Sequence, residues 1–135
     1  MTGSGEQEEL MLFFKCNMCG NFVVFLGKKS GCTPECCGSE MEEVKANTTD
    51  AAQEKHVPDV TVDGQTVKVQ VGSTMHPALE EHHIDFIILE TDKGFQKRDI
   101  VPGDEPVAEF VLADGEKAVA VYENCNLHGF WKKEL

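Results

Sequence analysis

Cysteine placement constrains this chain more than any other feature. Cysteines stand at positions 16, 19, 32, 36, 37 and 125, so that five crowd into one short stretch and the sixth lies far downstream. The segment around the five, residues 11–45, is too short to bury enough apolar surface to fold by itself, so cross-links or a metal must supply the missing free energy. Disulfides need an oxidising compartment. The first residues, Met1 to Glu9, are acidic, with neither a basic start nor a long apolar run, so no secretory signal is expected and a reducing, cytoplasmic location is. There, clustered cysteines bind metal more often than each other. Adjacent Cys36 and Cys37 would in addition close a strained ring if they bonded. Metal is the expectation.

Two pairs stand out. Cys16-x-x-Cys19 and Cys36-Cys37 are separated by one convincing strand, Asn21 to Leu26, and a turn at Gly27 to Gly31. Together they offer four thiolates, and tetrahedral thiolate sites hold zinc or iron. The adjacent pair can serve one ion only at a widened S–metal–S angle. A structural zinc ribbon satisfies this spacing as well as an iron centre does. Cys32, four residues before Cys36, reads as a bystander thiol.

The rest of the chain has a different texture. Residues 1–10 are polar and expected to fray, and 46–53 read as a polar linker between the 11–45 segment and a domain over 54–135. Within that domain the apolar period is two. Val60 and Val62, a turn at Asp63 to Gln65, then Val67, Val69 and Val71 form a hairpin pattern. Ile84, Phe86 and Ile88 mark a strand ending near Glu90, with 95–101 as its neighbour. Ala108 to Leu112, a turn at Ala113 to Glu116, and Ala118 to Tyr122 read as a second hairpin. No stretch sustains a period of 3.6. The expected fold is all-β: a small metal-stabilised N-terminal β domain followed by an Ig-like antiparallel β-sandwich. The formal charge of −12, with scattered Lys and Arg, argues against nucleic acid, and no apolar run approaches the length of a membrane span.

Five histidines fall in that second domain, in Glu54-Lys55-His56-Val57-Pro58, Met75-His76-Pro77, Glu81-His82-His83-Ile84 and Cys125-Asn126-Leu127-His128-Gly129. They sit at strand ends or in loops, where a rigid scaffold presents its ligands. A site of four histidines and one cysteine, added to the four-cysteine site, leaves only Cys32 and His83 over. Two other chemistries fit parts of the pattern. Cys125 and His128 have the residue types of a thiolate–imidazolium nucleophile pair, though a spacing of three points both more naturally at one ion. A cupin-like site would want a His-x-His pair, which is missing here.

These motifs, in this order from Phe14 to Trp131, resemble the desulfoferrodoxins, two-iron superoxide reductases of mainly anaerobic microbes. Lys15-Cys16-x-x-Cys19-Gly20-Asn21 and Cys36-Cys37-Gly38-x-x-Met41 are similar to the desulforedoxin motif, and the His and Cys125 motifs are similar to those of the family's neelaredoxin-like catalytic domain. Two departures stand out. The loop between Cys19 and Cys36 is about one residue longer than usual and carries Cys32. His83 stands where the family commonly has an aromatic residue, so His82 takes the ligand role.

The resemblance implies two iron ions per chain. One is held by Cys16, Cys19, Cys36 and Cys37, where zinc is the alternative occupant. The other is held by His56, His76, His82 and His128 in a plane with Cys125 on the axis. It implies one-electron reduction of superoxide to hydrogen peroxide without release of dioxygen, a rubredoxin-like electron donor and a homodimer. Lys55 would attract the anionic substrate against the chain's negative charge and support proton delivery. Glu54 would supply the carboxylate that occupies the sixth position of the oxidised iron. The competing readings are an iron electron carrier and a zinc-stabilised interaction module.

Overall fold

The computed structural model describes residues 11–27, 30–48, 51, 53–72 and 76–135. It is nearly all β and divides into two compact units, with the boundary between Lys45 and Ala46. The expected fraying of 1–10, the turn residues Lys28 and Lys29, and the linker residues Thr49, Asp50 and Ala52 lie outside the described residues.

The first unit contains β1 (Phe13–Lys15), β2 (Phe22–Val24), β3 (Glu35–Cys36), β4 (Ser39–Glu40) and β5 (Glu42–Glu43). β1 is the middle strand of an antiparallel sheet ordered β2-β1-β5, and β3 and β4 form a separate hairpin. Phe14, Cys16 and Met41 form a small buried cluster, flanked by Leu12, Val23, Phe25 and Cys36, and Phe13 is buried as well. Strands of two or three residues are too short for a period-two pattern to register; β2 was legible only through the apolar run Phe22 to Leu26 around it. They bring chain segments together without supplying much apolar burial of their own.

The second unit opens with a single helical turn, α1 (Gln53–His56), followed by β6 (Pro58–Asp63), β7 (Thr66–Val71), β8 (Ile84–Thr91), β9 (Phe95–Asp99), β10 (Val107–Val111), β11 (Ala118–Cys125) and β12 (Gly129–Glu134). These make two antiparallel sheets, ordered β10-β7-β6 and β12-β11-β8-β9. Val67, Val69, Val71 and Phe110 from the first sheet meet Ile84, Ile87, Leu89, Val121 and Cys125 from the second in one buried cluster. Alternation explains the burial, since β7 turns three valines inward and Lys68 and Gln70 away. The result is the expected antiparallel sandwich, with seven strands.

One expectation is corrected. Ala108 to Leu112 and Ala118 to Tyr122 do not pair with each other. β10 pairs with β7, and β11 lies between β8 and β12. The Ala113–Glu116 turn therefore carries the chain from one sheet to the other. It is tied to the β6–β7 turn, where Leu112 N donates to the Gln65 carbonyl and Gln65 Nε2 donates to the Leu112 carbonyl. A hairpin there would leave the second edge of β7 unpaired, which is costly for a buried strand.

The β11–β8 ladder slips at two places, Ala118/Ala120 and Asn124/Cys125, and Asn47 is pinned beside β12. Between Asn124 and Cys125 the register of β11 against β8 slips: Asn124 faces Phe86, whereas Cys125 faces Ile84, so Asp85 is the extra residue of a β-bulge. Asn47, at a left-handed φ of 63°, is fixed to β12 by its amide on the Phe130 carbonyl and by a two-way side-chain pairing with the backbone of Lys132.

Candidate metal centres

The first centre grows out of two turns. After β1, Cys16 begins a tight loop closed by Gly20 N on the Cys16 carbonyl and Cys16 N on the Asn21 carbonyl, with Gly20 at φ 85°. This aims the amides of Met18 and Cys19 at Cys16 Sγ, each at 3.4 Å. These two donors hold the Cys16 thiol down to about 6, as expected for a sulfur that must be a thiolate. The other turn is the two-residue connection of β3 and β4, in which Cys37 and Gly38 both have positive φ, 55° and 78°, the requirement of a type I′ hairpin. The left-handed step at Cys37 lets adjacent cysteines present their sulfurs to one place.

The four sulfurs of Cys16, Cys19, Cys36 and Cys37 lie within 4.8 Å of one another. Cys19 to Cys36 is 3.6 Å and Cys36 to Cys37 is 3.9 Å, bracketing the ~3.8 Å edge of a tetrahedron with metal–sulfur bonds of about 2.3 Å. At that bond length the adjacent pair subtends about 116°, a modest widening. Crowding by neighbouring sulfurs, Cys19 first, pushes the Cys37 thiol up to about 12. A cation is what such a cluster needs to hold four thiolates together. Cys32 is exposed and lies outside the group.

The second centre lies at one end of the sandwich. His56 ends α1, His76 follows β7, His82 precedes β8, Cys125 ends β11 and His128 stands in the β11–β12 turn. The ligand atoms of His56, His82, Cys125 and His128 lie within 4.8 Å of one another. His76 joins them through Nε2, 3.3 Å from Cys125 Sγ.

The four rings form a closed square. Neighbouring centroids are 4.8 Å apart for His56–His76, 4.6 Å for His76–His82, 5.1 Å for His82–His128 and 4.9 Å for His128–His56, with neighbouring planes between 70° and 89° apart. Nitrogen and sulfur lone pairs converge on its middle. His128 Nδ1 and His56 Nε2 are 3.2 Å apart, close to the ~3 Å expected of neighbouring nitrogens on a metal with bonds of about 2.1 Å.

Two further observations fit a metal. His82 Nε2 is buried without a hydrogen-bond partner among the described residues, an orphaned lone pair that a cation would satisfy. His76 Nδ1 donates to the Pro77 carbonyl at 2.8 Å, which fixes the tautomer and turns Nε2 toward the centre. Burial, with smaller contributions from His56, His82 and His128, pushes the His76 pKa down to about 4, so its imidazole is neutral and able to ligate at pH 7. Burial pushes the Cys125 thiol up, and the amides of His128 and Leu127 pull it part of the way back. Such a sulfur becomes a thiolate when a cation shares the site.

Around the ring, Trp131 stacks on His56 at 5.0 Å and donates Nε1 to the His128 carbonyl at 3.1 Å. Lys55 is exposed beside His56, and its ammonium lies near enough to His82 to add, after burial, His128 and His83, to the lowering of that residue's pKa. The Glu54 side chain lies outside the described residues. Sequence reasoning set His83 aside and gave Asn126 no role, yet both are engaged in the loops that hold the ligands. Side-chain hydrogen bonds across distant loops leave no periodic signal.

The desulfoferrodoxin family profile matches residues 48–134. A desulfoferrodoxin of Nitratidesulfovibrio vulgaris is 45% identical over 121 residues, covering 90% of this chain and 94% of its own. A desulfoferrodoxin homolog of Archaeoglobus fulgidus is 39% identical, covering 92% and 97%. Among solved structures, the superoxide reductase from Treponema pallidum superposes with a TM-score of 0.80 at 35% identity, over 92% of this chain and 98% of that one. The one-iron superoxide reductase from Giardia intestinalis matches 61% of this chain with 99% of its own, at 40% identity and a TM-score of 0.52. With a four-sulfur cluster on one unit and an imidazole square over a buried cysteine on the other, the chain belongs to the desulfoferrodoxin family.

Proposed function

We propose that this protein is a superoxide reductase, carrying iron in both centres and reducing superoxide in the second. The observation that carries the reading is the square of four imidazoles over Cys125, a donor set of five that suits a redox-active transition metal. Bound there, iron in its ferrous form supplies one electron which, with two protons, converts superoxide to hydrogen peroxide. The protein's residues do the rest. His56, His76, His82 and His128 would hold the iron through imidazole nitrogen, and Cys125 would donate electron density to it, as a cysteine does to haem iron. Trp131 holds the His56 ring flat against the core and keeps water from that side.

Lys55 attracts the anion toward the ring. The chain's charge of −12 repels superoxide at long range, and a local ammonium beside the ligands offsets this within a Debye length, about 8–10 Å at ordinary salt. The same ammonium, on the residue next to the ligand His56, also supports proton delivery to the product. From its place in the motif, Glu54 would supply a carboxylate to the iron in its oxidised form. The four-cysteine centre has all its positions filled by sulfur, so it stabilises residues 11–45 and relays electrons rather than binding substrate.

The domain boundaries proposed are 11–45 and 54–135, with 46–53 between them. The partners proposed are a rubredoxin-like electron donor and a second copy of the chain, in the cytoplasm. Among the described residues, no helix is long and apolar enough to cross a membrane. The test is rapid mixing of the anaerobically reduced protein with superoxide. Oxidation of the wild-type iron in a second-order reaction, lost in Cys125→Ser and His82→Ala, is expected. A ferrous protein that superoxide leaves unchanged would instead be the electron carrier.

A further inference from the structure

The loop carrying His82 and the turn carrying Cys125 and His128 are far apart in sequence, yet their ligand atoms must meet to within tenths of an ångström. Four polar residues outside the ligand set join them. His83 N donates to Asn126 Oδ1 at 2.8 Å, and Asn126 Nδ2 donates to the Glu81 carbonyl at 3.1 Å. Asn126 N donates to the His83 carbonyl at 3.1 Å, which closes the pairing. The His83 ring then spans its own loop. Nδ1 reaches the Leu79 and Glu80 carbonyls at 3.1 and 2.9 Å, and Nε2 reaches Asp85 Oδ1 at 3.1 Å. The second oxygen of Asp85 accepts from Asn124 Nδ2 at 2.9 Å.

Asp85 is the bulge residue of β8, and its carboxylate ties one side of the slip to the other. The bulge matters because side-chain direction in a strand alternates by residue. Without it, Ile84 and the segment before it would turn to the opposite face, and His82 would leave the ring. We propose that His83, Asp85, Asn124 and Asn126 form a hydrogen-bonded clamp that locks the β8 bulge and holds the His82 loop in register with the Cys125–His128 turn. They are positioning residues for the second metal centre. The inference rests on the reading of that centre as a five-ligand iron site, and on nothing further about its reaction.

His83 is where this chain departs from the aromatic residue common in the family, and Asn126 carries the cross-loop bonds whatever ring stands there. A ring there without nitrogens fills the same space but releases the Leu79 and Glu80 carbonyls and Asp85. The experiment compares the iron-loaded wild type with His83→Phe, Asn126→Ser and His83→Asn, the last returning an N–H near the position of Nδ1. Two quantities are read: the rate at which a chelator removes iron from the His/Cys centre, and the position of the thiolate-to-iron absorption band after oxidation. Partners in the shell behind metal ligands are worth about 10–100-fold in metal affinity. His83→Phe and Asn126→Ser are therefore expected to lose that iron about tenfold faster or more and to shift the band, with the four-cysteine absorption unchanged. His83→Asn is expected to recover part of both. Should His83→Phe fail to fold, Asn126→Ser, which leaves the ring in place, decides by the same two readings. Wild-type release rates and an unmoved band in the folded variants would overturn the clamp alone. A wild type that takes up no iron at the His/Cys centre would overturn the five-ligand reading, and the clamp with it.

Discussion

Glu123 makes a prediction that its surroundings quantify. It lies on β11 between Ile87 of β8 and Trp131 of β12, is 0% exposed, and has neither carboxyl oxygen hydrogen-bonded among the described residues. Burial, with a smaller push from Asp85, raises its pKa from 4.5 to about 9. At pH 7 the folded carboxyl is thus protonated while the unfolded one has ionised. A raised folded pKa contributes stability that is fully present below about 4.5 and is lost as pH rises toward 9. Each unit is worth about 1.4 kcal/mol, so the two and a half units between 4.5 and 7 cost about 3 kcal/mol. Glu123→Gln keeps the shape and removes the ionisation. In the metal-free protein, where no cation favours the carboxylate, it is expected to be about 3 kcal/mol more stable than wild type at pH 7, with the gap closing near pH 4.5. Urea unfolding followed by fluorescence of Trp131, the single tryptophan, measures this across the pH range. A gap independent of pH, or a variant less stable at pH 7, would refute the reasoning.

Other consequences are as definite. Lys55→Ala should slow the second-order reaction with superoxide and flatten its dependence on salt, because the variant lacks the local charge that salt screens; an unchanged rate and slope would remove the steering role. Cys16→Ser should abolish the absorption of the four-cysteine centre and weaken the first unit while superoxide reduction persists. Loss of all reduction with the His/Cys iron still bound would make the first centre essential. Asn47→Ala should destabilise the second unit by about 1–2 kcal/mol, since it breaks the paired bonds to Lys132. Chemical denaturation with the metal content held fixed checks this.

The sequence revealed the chemistry more readily than the path of the chain. Metal ligands declare themselves by residue type and spacing, and Cys16, Cys19, Cys36 and Cys37 come together, as do His56, His76, His82, Cys125 and His128. The strand β7 was legible because it alternates toward one core; β8 was legible as a strand, but the expected face of Ile84, Phe86 and Ile88 gives way to Ile84, Ile87 and Leu89 in the core. Which strand pairs with which was not, because Ala113 to Glu116 has turn chemistry whether it closes a hairpin or crosses between sheets. The bulge at Asp85 was hidden for a related reason: an Asp between Ile84 and Phe86 reads as the outward residue of a regular alternating strand as readily as an inserted one. His83 read as surplus because its partners are carbonyls and carboxylates that only the fold brings near.

Product stoichiometry tests the central claim most directly. Anaerobically reduced protein is exposed to a known quantity of superoxide, and hydrogen peroxide and dioxygen are both measured. The account predicts one peroxide for every superoxide consumed and no dioxygen, together with oxidation of the His/Cys iron. Dioxygen released alongside half as much peroxide would mean dismutation, and the assignment of a reductase would be wrong.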